Sequence, residues 1–141
     1  MTEKVPTEIP CAGCQKKIIF LIKTSSFISL KNNPNFILPE TRKNEVVAFI
    51  NRGLQDICIS RKNAGWGIPV PNDPERVVYV WFDALINYLS AINWPDGDWQ
   101  DFWPPQVQWM GKEILVRFHA TLWPAMLMAL DLPMPESLVG H

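Results

Sequence analysis

Three groups of residues in this chain have types and spacings that can do chemistry. The first is an aromatic pair around a small residue: Trp81, Ala84 and Tyr88 lie in the run Val77 to Tyr88, where β-branched and aromatic residues pass into a helical pattern. Ala84 and Tyr88 are four apart and so share a helix face, while Trp81 is expected to end the preceding strand. Ligands of open α/β sheets settle beyond the carboxyl ends of the strands. Two aromatic walls with an alanine between them make a slot there for a slender apolar group, and the competing expectation is a set of core residues beneath a strand-helix corner. The second group is Cys11-Ala-Gly-Cys14, whose two-residue spacing lets both thiolates reach one tetrahedral zinc. Such a site needs four ligands, and the remaining candidates, Cys58, His119 and His141, stand far along the chain. Zinc at Cys11 and Cys14 therefore stays open beside a vestigial turn or half a site. The third is His119, which is either a ligand-facing group or a satisfied helix histidine.

The elements that must position these groups are legible from pattern. Lys16 to Asn33 reads as a buried-strand run followed by a segment of weak period, and 34–39 as an extended connector. Thr41 offers a helix N-cap, with Val46, Val47, Phe49 and Ile50 on one face and Gly53 placed to stop the helix. Leu54 to Ser60 alternates as a strand in which Cys58 is a small buried thiol, and Arg61 to Pro71 is a turn-rich return anchored by Trp66. A doubly wound pattern then follows: strand 77–81, helix 83–92, a Trp-rich excursion over 93–105, strand 106–110, helix 113–130 and a last strand Ser137 to Gly140. The excursion carries Trp94, Trp99 and Trp103 without basic residues, which favours a loop anchored by buried aromatics over a base-stacking platform.

Composition narrows the class. The 141 residues, 48% hydrophobic and 19% charged, suit a globular α/β core. No apolar run is long enough to span a membrane, and the mixed polar start has no apolar signal core, so a cytoplasmic protein is expected. Three cysteines form no disulfide framework. A net charge of -1 gives no bulk attraction to nucleic acid, and Arg42-Lys43 reads as a solvated face.

Val78-Tyr-Val-Trp-Phe-Asp-Ala-Leu-Ile-Asn-Tyr88 resembles the stretch that forms the methionine pocket of the methionyl-tRNA synthetases. Asn44-Glu45-Val46, Ser60-Arg61, Trp66 to Pro71, Gly111 to Leu115, Phe118-His119 and Trp123 to Ala125 resemble further family motifs in family order. The resemblance implies an α/β fold: the tail of a connective peptide over 1–70, then the second half of a class I Rossmann catalytic domain with a parallel sheet over 71–141. The parent reaction is ATP-dependent activation of methionine, with Mg2+, to methionyl-adenylate and transfer to tRNA(Met). By matching positions, Trp81, Ala84, Leu85, Tyr88, Ile114 and His119 form the methionine pocket, and Gly111 and Glu113 lie beneath the adenosine. The family normally has aspartate where Glu113 stands.

Two further departures matter. Between Gly111 and His119 the chain holds one residue more than the usual family spacing, with Val116 or a neighbour as the extra. That turns a helix by about 100° and carries Glu113 or His119 off the site unless a bulge absorbs it. Neither family phosphate-binding signature, of the His-Ile-Gly-His or Lys-Met-Ser-Lys-Ser type, occurs in the sequence. The isolated chain is therefore expected to be inactive in adenylation. The remaining parts of the synthetase are expected partners. A catalytically dead methionine-binding module, a split-enzyme partner and a fragment without function of its own are the rival expectations.

Overall fold

The computed structural model describes residues 33–54 and 57–141. Cys11, Cys14 and the strand expected from Lys16 lie outside the described residues.

Among the described residues, two three-stranded sheets, three longer helical stretches and one 3-10 turn (Trp99–Asp101) follow from local pattern and are joined by long-range pairing. Strand β1 (Ile37–Leu38) leads directly into helix α1 (Glu40–Asn51). The cap residue is Pro39, so Thr41 sits inside the first turn. Gly53 ends the helix as expected, with φ +94 and its N–H donating to the Ile50 carbonyl. Strands β2 (Ser60–Lys62), β3 (Pro69–Val70) and β4 (Asp73–Val78) form an antiparallel sheet in the order β2-β4-β3.

This corrects the expectation for 77–81. The strand ends at Val78, pairs antiparallel, and gives way to α2 (Val80–Ser90), so that Trp81 lies in the first turn of a helix. The residues Val-Val-Tyr-Val-Trp have high strand propensity, but the chain leaves the sheet after Tyr79, whose N–H donates to the Ile59 carbonyl, and tertiary context overrides propensity from Val80 onward. Asn93, at φ +64, closes α2 in a left-handed turn in which the Trp94 N–H reaches back to the Leu89 carbonyl.

The parallel sheet has the order β1-β6-β5, with β5 (Val107–Met110) and β6 (Ser137–Gly140) in the register Val107 to Ser137 through Met110 to Gly140. Strand β1 pairs with the other edge of β6. Residues on both sides of position 70 thus share one sheet. Between β5 and β6 runs a continuous helical stretch: α3 (Lys112–Ile114), a π-helix (Leu115–Leu122), and α4 (Trp123–Ala129).

The core forms two packed groups. Leu85, Leu89, Trp103, Trp123 and Leu127 bury the contact between α2, α4 and the Trp-rich loop. Ile37, Val46, Ile50, Met110, Leu115 and Leu138 bury α1 and the π-helix against the parallel sheet. Each such aliphatic side chain contributes about 1.5–3 kcal/mol when fully removed from water. The excursion 93–105 is held by one buried aromatic, with Trp94 and Trp99 half-buried: Trp103 packs edge-on to Trp123 and donates its indole N–H to the Pro133 carbonyl at 2.8 Å. Arg42 pairs with Glu45, and the Lys43 ammonium donates to the Pro34 carbonyl, all at the exposed surface. Cys58 is half-buried.

Among the described residues no helix is long and apolar enough to cross a membrane.

Candidate functional site

Helix α2 and the π-helix face each other, and the site lies along their contact. From α2 come Trp81, Ala84, Leu85 and Tyr88, spaced i, i+3, i+4 and i+7, which puts them on one side of the helix. Ala84 is exposed, Trp81 and Tyr88 are half-buried, and Leu85 is in the core. Leu85 therefore backs the site from beneath.

Tyr88 and His119 meet directly, with the phenol oxygen 2.8 Å from Nε2 and the rings edge to face. His119 is 2% exposed and its Nδ1 lies 3.2 Å from the Ile114 carbonyl. A carbonyl only accepts, so Nδ1 carries the proton, Nε2 is the acceptor, and the Tyr88 hydroxyl donates to it. Burial pushes the imidazole pKa down, opposed by the bond to Ile114, and burial also pushes the Tyr88 phenol up. Both rings are held neutral. The pair is thus a polar but uncharged wall against otherwise apolar surroundings, and it suits a ligand group without net charge.

The sequence reading missed Phe118 as a site residue. Its ring stacks on Trp81 with centroids 3.8 Å apart and planes 15° from parallel, covering one face of the expected slot. The signal was present, because Phe118 immediately precedes His119. Only the π-helical turn decides that it points toward α2.

Phe118 also lines a cavity of 350 Å³ with Phe49, Arg61, Tyr79, Arg117 and Thr121. The Arg61 guanidinium sits 3.9 Å over the Tyr79 ring and donates to the Cys58 and Ser60 carbonyls. The described lining residues bring two guanidinium groups and no carboxylate. Such a cavity favours an anionic group.

At the mouth of the parallel sheet, Gly111 links β5 to α3. Its φ of −65 needs no glycine. A β-carbon there would meet only the end of the Glu113 side chain, at 2.8 Å, where the carboxylate folds back over Gly111. The two residues assigned to the adenosine site are therefore adjacent, and Glu113 is exposed. Ile114, half-buried, packs with the second core group and reaches the site through its carbonyl bond to His119.

The structure thus brings together Trp81 with Phe118 and Tyr88 with His119 and Ile114, puts Gly111 beside Glu113, and leaves Leu85 behind the slot. Among the described residues no cluster of three or more metal-ligating side chains occurs.

Residues 20–141 match the family model described as tRNA synthetases class I (M). The chain is 50% identical over 111 residues to the methionine–tRNA ligase of Rickettsia bellii, covering 77% of this chain and 22% of that protein. It is 53% identical over 115 residues to the methionine–tRNA ligase of Enterococcus faecalis, covering 79% of this chain and 17% of the relative. Among solved structures it is similar to Mycobacterium tuberculosis methionyl-tRNA synthetase bound by methionyl-adenylate. The TM-score is 0.79 at 41% identity, over 87% of this chain and 25% of the other. The chain therefore spans a quarter or less of the length of these proteins.

Proposed function

Since the chain belongs to the class I tRNA synthetase family of the methionyl type, we propose that it is the methionine-recognising part of a methionyl-tRNA synthetase. In the parent enzyme the methionine carboxylate displaces pyrophosphate from the α-phosphorus of ATP to give methionyl-adenylate, and the aminoacyl group then passes to tRNA(Met) with release of AMP. In this reading Trp81, Ala84, Tyr88, Ile114 and His119 bound the side-chain slot, Leu85 backs it, and Gly111 and Glu113 receive the adenosine ribose.

The observation that carries the reading is the neutral Tyr88–His119 pair beside the Trp81–Phe118 stack. A thioether is uncharged and polarizable, and each contact with an aromatic ring contributes about 0.3–1.5 kcal/mol. A charged side chain finds no counter-ion there. Shape adds about 1–3 kcal/mol per methylene of discrimination. The cavity with Arg61 and Arg117 supports the same reading, because the amino acid brings a carboxylate and its adenylate a phosphate.

Mg2+, if it entered with ATP, would offset phosphate charge, but among the described residues no cluster of three or more metal-ligating side chains would hold it. The residues of this chain orient the amino acid and the ribose. The groups that clamp the phosphates in the resembled family are not among these 141 residues, so adenylation by this chain alone is not expected.

The test is isothermal titration of the purified chain with methionine, after size exclusion has established a soluble monodisperse species. Saturable heat that vanishes in Trp81→Ala supports the reading. Equal heat in both proteins, or none from a folded chain, sinks the assignment of a self-sufficient slot. Pyrophosphate exchange above background would contradict the expected inactivity.

A further inference from the structure

We propose that the π-helix is a one-residue register splice, with Val116 as the dispensable residue, that keeps His119 facing both Ile114 and Tyr88. Five positions separate Ile114 from His119. In an α-helix that spacing rotates a side chain by about 500°, or about 140° past a full turn, away from the face it left. The structure instead holds the His119 ring on the Ile114 carbonyl at 3.2 Å and on the Tyr88 hydroxyl at 2.8 Å. Thr121, further along, has already returned toward α-helical spacing: its hydroxyl lies 2.6 Å from the carbonyl of Arg117, four positions back, and 3.2 Å from that of Val116, five back. The wider i to i+5 turn returns His119 to the face that an α-helix reaches in four positions.

The residues between Ile114 and His119 are not equivalent. Leu115 is fully buried and packed so closely on β6 that a β-carbon at Gly140 would stand 2.6 Å from it. Phe118 stacks on Trp81, and Arg117 lines the arginine cavity. Val116 is half-buried at the margin of the second core group, beside the groove that Ala48, Phe49 and Arg52 of α1 form. Its side chain has no polar group to satisfy. Removing it leaves His119 four positions from Ile114, where a regular α-helix keeps them on one side. Thr121 keeps its partner four positions back.

The test compares the full chain with a Val116 deletion and with Val116→Ala, using nitrogen-15 imidazole NMR to read the His119 tautomer and thermal unfolding to read stability. These measurements need no ligand, so their outcome is separable from the methionine reading. The deletion is expected to fold, to keep the Nδ1-protonated tautomer with Nε2 hydrogen-bonded, and to unfold at or above the parental midpoint. Val116→Ala keeps the same tautomer. Loss of the tautomer signature or of the fold on deletion, with Val116→Ala unaffected, would mean that the π geometry itself is required and overturns the proposal. Unfolding of both variants overturns it equally, because a dispensable residue cannot be essential to the core.

Discussion

The Tyr88 hydroxyl donates to Nε2 of His119 across 2.8 Å, and this bond ties helix α2 to the π-helix at a point where His119 is 2% exposed. The bond fixes the ring orientation of both partners, and the Ile114 carbonyl fixes the tautomer from the other side. Loss of either partner leaves a buried nitrogen unsatisfied.

Tyr88→Phe keeps the ring and removes only the donor. The buried Nε2 then lacks a partner, at a cost of about 1–3 kcal/mol. Urea unfolding of the two proteins measures this as a lower midpoint at unchanged slope. A midpoint within error of the parent would show that water or another group takes over.

Stability depends on pH through the same histidine. Burial lowers the folded-state pKa of His119, while the unfolded chain titrates near the ordinary value of about 6.5. Above that value both states hold a neutral ring and the full stability is present. As pH falls below it, the unfolded state takes up the proton first, so stability declines until the folded-state pKa is passed. Denaturant midpoints at pH 7.5 and pH 5.5 should therefore differ, and His119→Gln should shrink the difference. At the alkaline end Tyr88 acts in the opposite sense. Its folded pKa is raised, so the unfolded phenol ionises first and stability falls as pH climbs past about 10.

Two glycines separate close packing from a ligand approach. Gly140→Ala would place a β-carbon 2.6 Å from Leu115 Cδ2 and 3.4 Å from Arg42 Cγ, inside the second core group. Overpacking of that kind costs about 1–3 kcal/mol, read as a lower thermal midpoint. Gly111→Ala meets only the end of the Glu113 side chain, which can swing into solvent, so a change within about 0.5 kcal/mol is expected. A large loss at Gly111 would assign that glycine to the fold and remove its reading as a place where a ribose closes on the backbone.

The indole of Trp103 anchors the 93–105 loop through its bond to the Pro133 carbonyl, at 5% exposure. Trp103→Phe keeps most of the apolar contact and deletes the donor. The expected loss is about 1–3 kcal/mol, since the carbonyl loses its partner and the smaller ring leaves space. Protease cleavage within 93–105 should rise in step, and unchanged cleavage would mean that Trp94 and Trp99 hold the loop without it.

The sequence by itself located the helical stretches, the stop at Gly53 and the last strand. Three-residue and four-residue apolar spacing, Gly53 after α1, and the short apolar run Ser137–Gly140 are local signals, and local signals survive whatever the rest of the chain does. Family motifs likewise pointed to the methionyl synthetases, because each is a specific string at a specific place. Tertiary structure decided the remainder. Whether Val77 and Val78 join a parallel or an antiparallel sheet depends on which strands reach them, which no local period encodes. In β5 the alternation runs against hydrophobicity. Gln108 faces inward to accept the Trp123 indole N–H at 3.1 Å, while Trp109 stands 69% exposed, because register to β6 fixes which side each residue takes. Phe118 on Trp81 and His119 on Tyr88 depend in the same way on a π-turn whose phase is set by packing at both ends of the helix. Residue types pointed to Trp81, Ala84, Tyr88 and His119, family resemblance added the other expected residues, Phe118 escaped both, and long-range packing determined which of them touch.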